Sequence, residues 1–160
     1  MKKPEKLAKP KKLAVAKPKN VPVARLSDEE VNRAPLAWGR RLARLVGAKF
    51  GVKMSLDRAK NEGVRRKTRI AIKCAKSRCA PVFVSVEMLA RIDELWGVFL
   101  VVGQGAEIWK CDADFVRRAA YINRSSQKMA RAELRFKAMQ RGGVLIGKLS
   151  EEEVESCQIP

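Results

Sequence analysis

Residues 96–103, WGVFLVVG, run eight positions without a charged side chain in a chain where 32% of residues are charged. The run is far too short for the ~20 residues of a membrane span, and its valine content suits a strand buried on both faces. A strand of that kind lies in the centre of a sheet and needs a covering layer on either side. Gly103-Gln104-Gly105 then supplies a tight turn into AEIWKC, which pairs back as a neighbouring strand. With 160 residues and 46% hydrophobic content, the chain has enough material for one such domain.

The flanking patterns fill in the remaining elements. Ser27 with Glu30 forms a capping box that opens a helix in SDEEVNRAPLAWGRRLARLVG, which Pro35 is expected to split. Trp38, Leu42, Leu45 and Val46 make one apolar face there, and Arg40, Arg41 and Arg44 occupy the other. Phe50, Val52 and Met54 alternate as a short strand, SLDRAKNEG reads as a loop, and residues 69–75 alternate again. In that second strand Ile70, Ile72 and Cys74 face inward, while Lys73 turns toward the basic side. Val82, Val84 and Val86 mark a strand, and Met88, Leu89, Ile92 and Leu95 a short helix. Asp112 or Asp114 caps a helix through Tyr121, and Ser125 or Ser126 caps another with Met129, Phe136 and Met139 on one face, stopped by Gly142-Gly143. Ser150 with Glu153 is a second capping box. The expected fold is α/β (α+β), a mixed central sheet flanked by helices. It occupies residues 27–122, preceded by a disordered basic arm at 1–26 and followed by a C-terminal helical extension at 123–160.

Charge narrows the choice of partner. The net charge is +18, and it is concentrated in two blocks. Residues 1–25 hold nine basic residues and Glu5; residues 40–79 hold fourteen basic residues against Asp57 and Glu62; the rest of the chain is slightly acidic. Cations that dense within folded sequence repel one another, and a polyanion relieves the repulsion. Nucleic acid fits better than an acidic membrane, because no long basic amphipathic helix presents an aromatic face. Phe50 is the one aromatic residue of the basic block, which argues against base stacking and favours duplex or structured nucleic acid, DNA ahead of RNA.

Several chemistries drop out. The chain has no histidine, so imidazole triads and imidazole zinc sites are absent. Gly103 and Gly105 lie between two strands, so they do not form a phosphate-binding loop. Cys74 and Cys79 are spaced C-x4-C, with Cys111 and Cys157 scattered; that spacing suits reduced thiols of an intracellular protein better than zinc or disulfides.

The order of elements carries a resemblance. "RIAIKCAKSR", "PVFVSVEML", "ARIDEL", "WGVFLVV" and "AEIWKC" resemble the core of the PD-(D/E)XK, restriction-endonuclease-like nucleases over roughly residues 36–118. In that superfamily a short strand ending in acid-x-Lys precedes a small and basic segment, another strand, a helix and a hydrophobic strand. The resemblance places Lys73 on the motif lysine and implies metal-assisted phosphodiester cleavage by carboxylates and that lysine. Position 71, which shares Lys73's strand face, is Ala where the family has its acid. Arg40 and Arg41 also stand where relatives often carry an acid. Asp57 and Glu62 remain as candidate Mg2+ ligands, or as a cap and a turn residue.

Two readings follow, with a third beside them. In the first, the protein binds duplex DNA on a nuclease-like fold that is catalytically incomplete. Its phosphate contacts would be Arg40, Arg41, Arg44, Lys49, Lys53, Arg65, Arg66, Lys67, Arg69, Lys76 and Arg78. In the second, it is an active Mg2+-dependent endonuclease of phage or mobile-element type, with Lys73, Glu62 and Asp57 catalytic. The third is an RNA-binding or ribosome-associated protein. All three place it in the cytoplasm or nucleoid of a bacterial or phage-infected cell, not in a membrane, with a homodimer left open.

Overall fold

The structure, a computed structural model, describes residues 28–57, 60–123 and 130–158, with side chains from Ala37 onward. The expected arm at 1–26, the Ser27 cap and the Ser125 or Ser126 cap lie outside the described residues. The chain is a mixed α/β fold built on a six-stranded sheet. Its elements are α1 (Asp28–Lys49), β1 (Lys53–Met54), β2 (Glu62–Arg65), β3 (Thr68–Ala75), β4 (Val82–Ser85), α2 (Val86–Arg91), β5 (Glu94–Val101) and β6 (Gly105–Asp112). They continue with α3 (Ala113–Ala119), β7 (Tyr121–Asn123), β8 (Arg131–Leu134), α4 (Phe136–Gly142), β9 (Gly143–Leu149) and α5 (Glu151–Glu155).

The central sheet has the order β1-β2-β3-β5-β6-β9, and a smaller sheet has the order β4-β8-β7. In the central sheet β3 and β5 run parallel and every other neighbouring pair is antiparallel. The parallel pair is joined by a crossover through β4 and α2, which deposits that layer on one face.

β5 is the apolar run of the sequence, and it lies between β3 and β6 as a doubly buried strand should. Its side chains alternate between two cores. Trp96 and Val98 join Ile70, Ile72 and Ile108 beneath Leu42, Ala43 and Val46 of α1. Leu95 and Phe99 join Ala71 and Ala75 beneath Met88 and Leu89 of α2, Val116 of α3 and Leu134 of β8. Trp96 is fully buried, its indole N–H donating to Glu94 at 2.9 Å, and Phe50 meets its ring edge-on at 5.9 Å. Burial of a side chain of this kind stabilises the fold by roughly 1.5–3 kcal/mol.

The turn between β5 and β6 depends on Gly105. Its φ is +87°, and a Cβ there would lie 2.0 Å from the Leu149 carbonyl oxygen. Only glycine lets β9 close against this turn.

Several expectations are corrected. Helix α1 runs through Pro35 without a break. A proline removes one amide, but the turns beyond it are held by the packing of Leu42, Ala43 and Val46. Helix α2 starts at Val86, where the Ser85 hydroxyl accepts from the Met88 amide, and it ends at Arg91, so Leu95 belongs to β5. Residues 131–134 are a strand, with Ala132 and Leu134 alternating into the core. The segment expected to be a helical extension therefore contributes β8 to the second sheet and β9 to the edge of the first. By contrast, Asp112 caps α3 and the Ser150–Glu153 capping box opens α5, as the spacing indicates.

Candidate nucleic-acid interface

β2 was not legible as a strand, yet it organises the site. Gly63, one residue into it, lets β1 and β2 approach: a Cβ there would meet Val52 Cγ1 at 2.7 Å and the Lys53 carbonyl at 2.8 Å. The β2–β3 ladder pairs Glu62 with Ala71, Gly63 with Ile70, Val64 with Arg69 and Arg65 with Thr68. Arg66 and Lys67 thus form a two-residue hairpin loop.

That register brings Glu62 and Lys73 to one face. Residues directly opposed across a ladder share a face, as do residues two apart on a strand. Ala71 is fully buried, so the position where the superfamily resemblance expects an acid is packed core, and the acid stands across the ladder at Glu62. Lys73 does not turn toward the basic surface. It is half-buried on the face covered by α2, because β3 is buried on both faces and Cys74 opposite it points toward α1, its thiol donating to the Gly39 carbonyl at 3.5 Å. Desolvation pushes the Lys73 ammonium below its ordinary pKa, and the Glu62 carboxylate partly opposes this.

Sequence reasoning missed Arg91, in the last turn of α2. Its Nε and one terminal nitrogen donate to the two Glu62 carboxylate oxygens at 3.1 and 2.5 Å, a bidentate pair. The bond raises the guanidinium pKa still further. At sequence level Arg91 follows Glu87 by four residues, which reads as an ordinary helix-surface pair.

The candidate metal ligands do not assemble. Asp57 lies in the exposed loop after β1, 3.6 Å from the Lys60 amine, and Glu62 is engaged by Arg91. Among the described residues there is no cluster of three or more Asp, Glu or Cys side chains able to hold a metal. Mg2+ demands several oxygen ligands in near-octahedral geometry, and one carboxylate already held by a guanidinium does not supply them.

The cations divide into two groups. Lys49 pairs with Glu153 at 2.8 Å, Arg69 with Asp93 at 3.5 Å, and Arg78 with the buried Glu107 at 2.7 Å. Arg78 also lies over the Phe136 ring at 5.2 Å, and Arg44 donates to the Ser55 carbonyl. These four expected phosphate contacts are tied into the fold. Arg40, Arg41, Lys53, Arg65, Arg66, Lys67 and Lys76 form no ion pair among the described residues. Arg40 and Arg41 lie on α1, and Lys53, Arg65, Arg66 and Lys67 lie on β1 and the β2–β3 hairpin at one edge of the central sheet. A shallow groove of about 200 Å³ opens there between Lys53, Ser55, Glu62, Val64, Arg69 and Arg91.

Two of the thiols, Cys74 and Cys111, are packing groups. Cys111 is buried and Cys74 is packed against the α1-side core, and burial raises their pKa to about 11 and about 12. Compared with protein-family models, with curated proteins and with solved structures, the chain finds no significant match in any of the three, and the chemistry of this edge is what remains to assign a function.

Proposed function

We propose that the protein binds nucleic acid, duplex DNA ahead of RNA, through the edge formed by α1, β1 and the β2–β3 hairpin, on a nuclease-like sheet whose metal site is incomplete. The observation that carries this is the division of cations. The acids of the fold neutralise Lys49, Arg69 and Arg78, while Lys53, Arg65, Arg66 and Lys67, close together on β1 and the β2–β3 hairpin, form no ion pair among the described residues. A chain pays for that repulsion unless a polyanion relieves it.

The order helix, strands, helix, buried strand supports the nuclease-like part, as does Lys73 projecting beside position 71. Burial of Ala71 and the Arg91 clamp on Glu62 favour binding over cleavage. The Glu62–Lys73 juxtaposition is the observation that favours the second reading, an active Mg2+-dependent endonuclease.

One pair of measurements tests both. Fluorescence anisotropy with a labelled duplex should show affinity falling by roughly 10³-fold between 50 and 200 mM salt, as expected for about six neutralised phosphates. A flat response would end the electrostatic reading. Supercoiled plasmid incubated with Mg2+ or Mn2+ should remain intact. Nicking that disappears in Lys73→Ala and Glu62→Ala would replace the binding reading with the catalytic one.

A further inference from the structure

Arg66 is the one non-glycine residue with a positive φ, 58°, among the described residues. It occupies the first position of the two-residue loop between the paired Arg65 and Thr68. Loops of that length favour Asn-Gly, Asp-Gly or Gly-X, because those residues enter the left-handed region cheaply. An arginine there is strained, and it is flanked by two more cations. Arg65, Arg66 and Lys67 are all exposed and form no ion pair among the described residues. Strain kept at a loop tip points to a use for the side chain held there.

The tip also overhangs its neighbours. β1 reaches along β2 only as far as Val64, and β5 begins to pair with β3 only at Ile70. Residues 65–68 therefore project past both adjoining strands and can approach a surface that the rest of the sheet does not touch.

We propose that this tip is a wedge for the narrow minor groove of A·T-rich B-form DNA, with the Arg66 guanidinium entering the groove and Arg65 and Lys67 on the phosphates of its two walls. The proposal rests on the nucleic-acid reading above and adds where and how the duplex is held. The chemistry suits this groove. Arg and Lys side chains only donate, and the floor of an A·T minor groove offers only acceptors, adenine N3 and thymine O2. In the major groove the acceptor pair of guanine, N7 and O6, would also receive an arginine, so a tip reading that groove would favour G·C-rich sequence and one reading the minor groove A·T-rich sequence. A narrow minor groove also concentrates negative potential, which a single inserted arginine exploits. The groove is about 6 Å wide, so a side chain enters while the hairpin backbone stays outside. Duplex RNA, with a wide, shallow minor groove, offers no such slot.

The test uses the full chain with Arg66→Gly and Arg66→Asn, both of which accept a left-handed backbone. Either variant should leave the hairpin intact, and Arg66→Gly should raise the melting temperature by relieving strain. Affinity for an A·T-rich duplex should fall about tenfold, and affinity for a G·C-rich duplex by no more than about threefold, since one phosphate-range cation lowers binding uniformly. Netropsin, which fills the A·T minor groove, should displace the wild-type protein. Equal losses on the two duplexes, indifference to netropsin, or a preference for duplex RNA would each overturn the wedge. Wild-type protein that binds with a steep salt dependence while the variants bind equally well would remove the wedge and leave the binding reading standing. No binding to any duplex would remove both.

Discussion

Glu62 and Arg91 are locked together by two parallel hydrogen bonds across the gap between β2 and α2, with Lys73 as the third charge of the cluster. The arrangement neutralises the one carboxylate that faces position 71. It also ties the helix of the crossover to a strand that it does not otherwise adjoin in the sheet order.

Arg91→Ala should therefore lower the melting temperature by several degrees, because Glu62 would remain half-buried beside an ammonium unable to match a guanidinium fork. Arg91→Lys should recover only part of the loss, since a point charge makes one of the two bonds. Differential scanning fluorimetry on the three proteins checks the order.

Lys73 should carry a pH signature. Its ammonium is held below the ordinary pKa by burial, so the folded chain binds that proton less tightly than the unfolded chain. Stability from this group therefore rises with pH through the folded pKa and stops rising at the unfolded one. Lys73→Met removes the buried charge and keeps the volume. It should raise the urea midpoint at pH 7 and raise it less at pH 10, where the wild-type lysine has begun to lose its proton.

Asp93 acts in the opposite sense. Its carboxylate accepts from the Arg69 amide at 2.7 Å and pairs with the Arg69 guanidinium, which holds its pKa below the usual range. The stability it contributes is complete above the unfolded carboxylate pKa, near 4, and is lost as pH falls through the lower folded value. Asp93→Asn should flatten the acid side of a stability–pH curve below about pH 4, as measured by urea denaturation.

Of the four thiols, Cys79 is exposed, Cys111 and Cys157 are buried, and Cys74 is half-buried with its pKa pushed up to about 12. Reaction with an aromatic disulfide at pH 7.5 should release one equivalent quickly from the native protein and the others only on unfolding. Cys79→Ser should abolish the fast phase.

What the sequence disclosed followed from periodicity and from caps. The run at 96–103, the turn at Gly103–Gly105 and the Asp112 and Ser150 caps are local signals, and they stand where expected. β2 was hidden because Glu62-Gly63-Val64-Arg65 has no two-residue alternation; it is a strand only because β1 and β3 pair with it. β8 was hidden for a similar reason. Ala132 and Leu134 are too few to outweigh the helical spacing of Phe136 and Met139 next to them. The candidate site divides along the same line. Lys73, Glu62 and the basic residues were found as residue types, but which cations are spent on acids depends on long-range partners such as Glu107 and Glu153. Arg91 acquires its role only through the β2–β3 register.

The alternation of β5 between the α1 core and the α2 core has one more consequence. Leu95 and Phe99 belong to one layer and Trp96 and Val98 to the other, so neither layer can come apart while the other keeps its strand in place. The two halves share a single backbone ladder, and heat should dissolve them together in one calorimetric transition, with equal van't Hoff and calorimetric enthalpies.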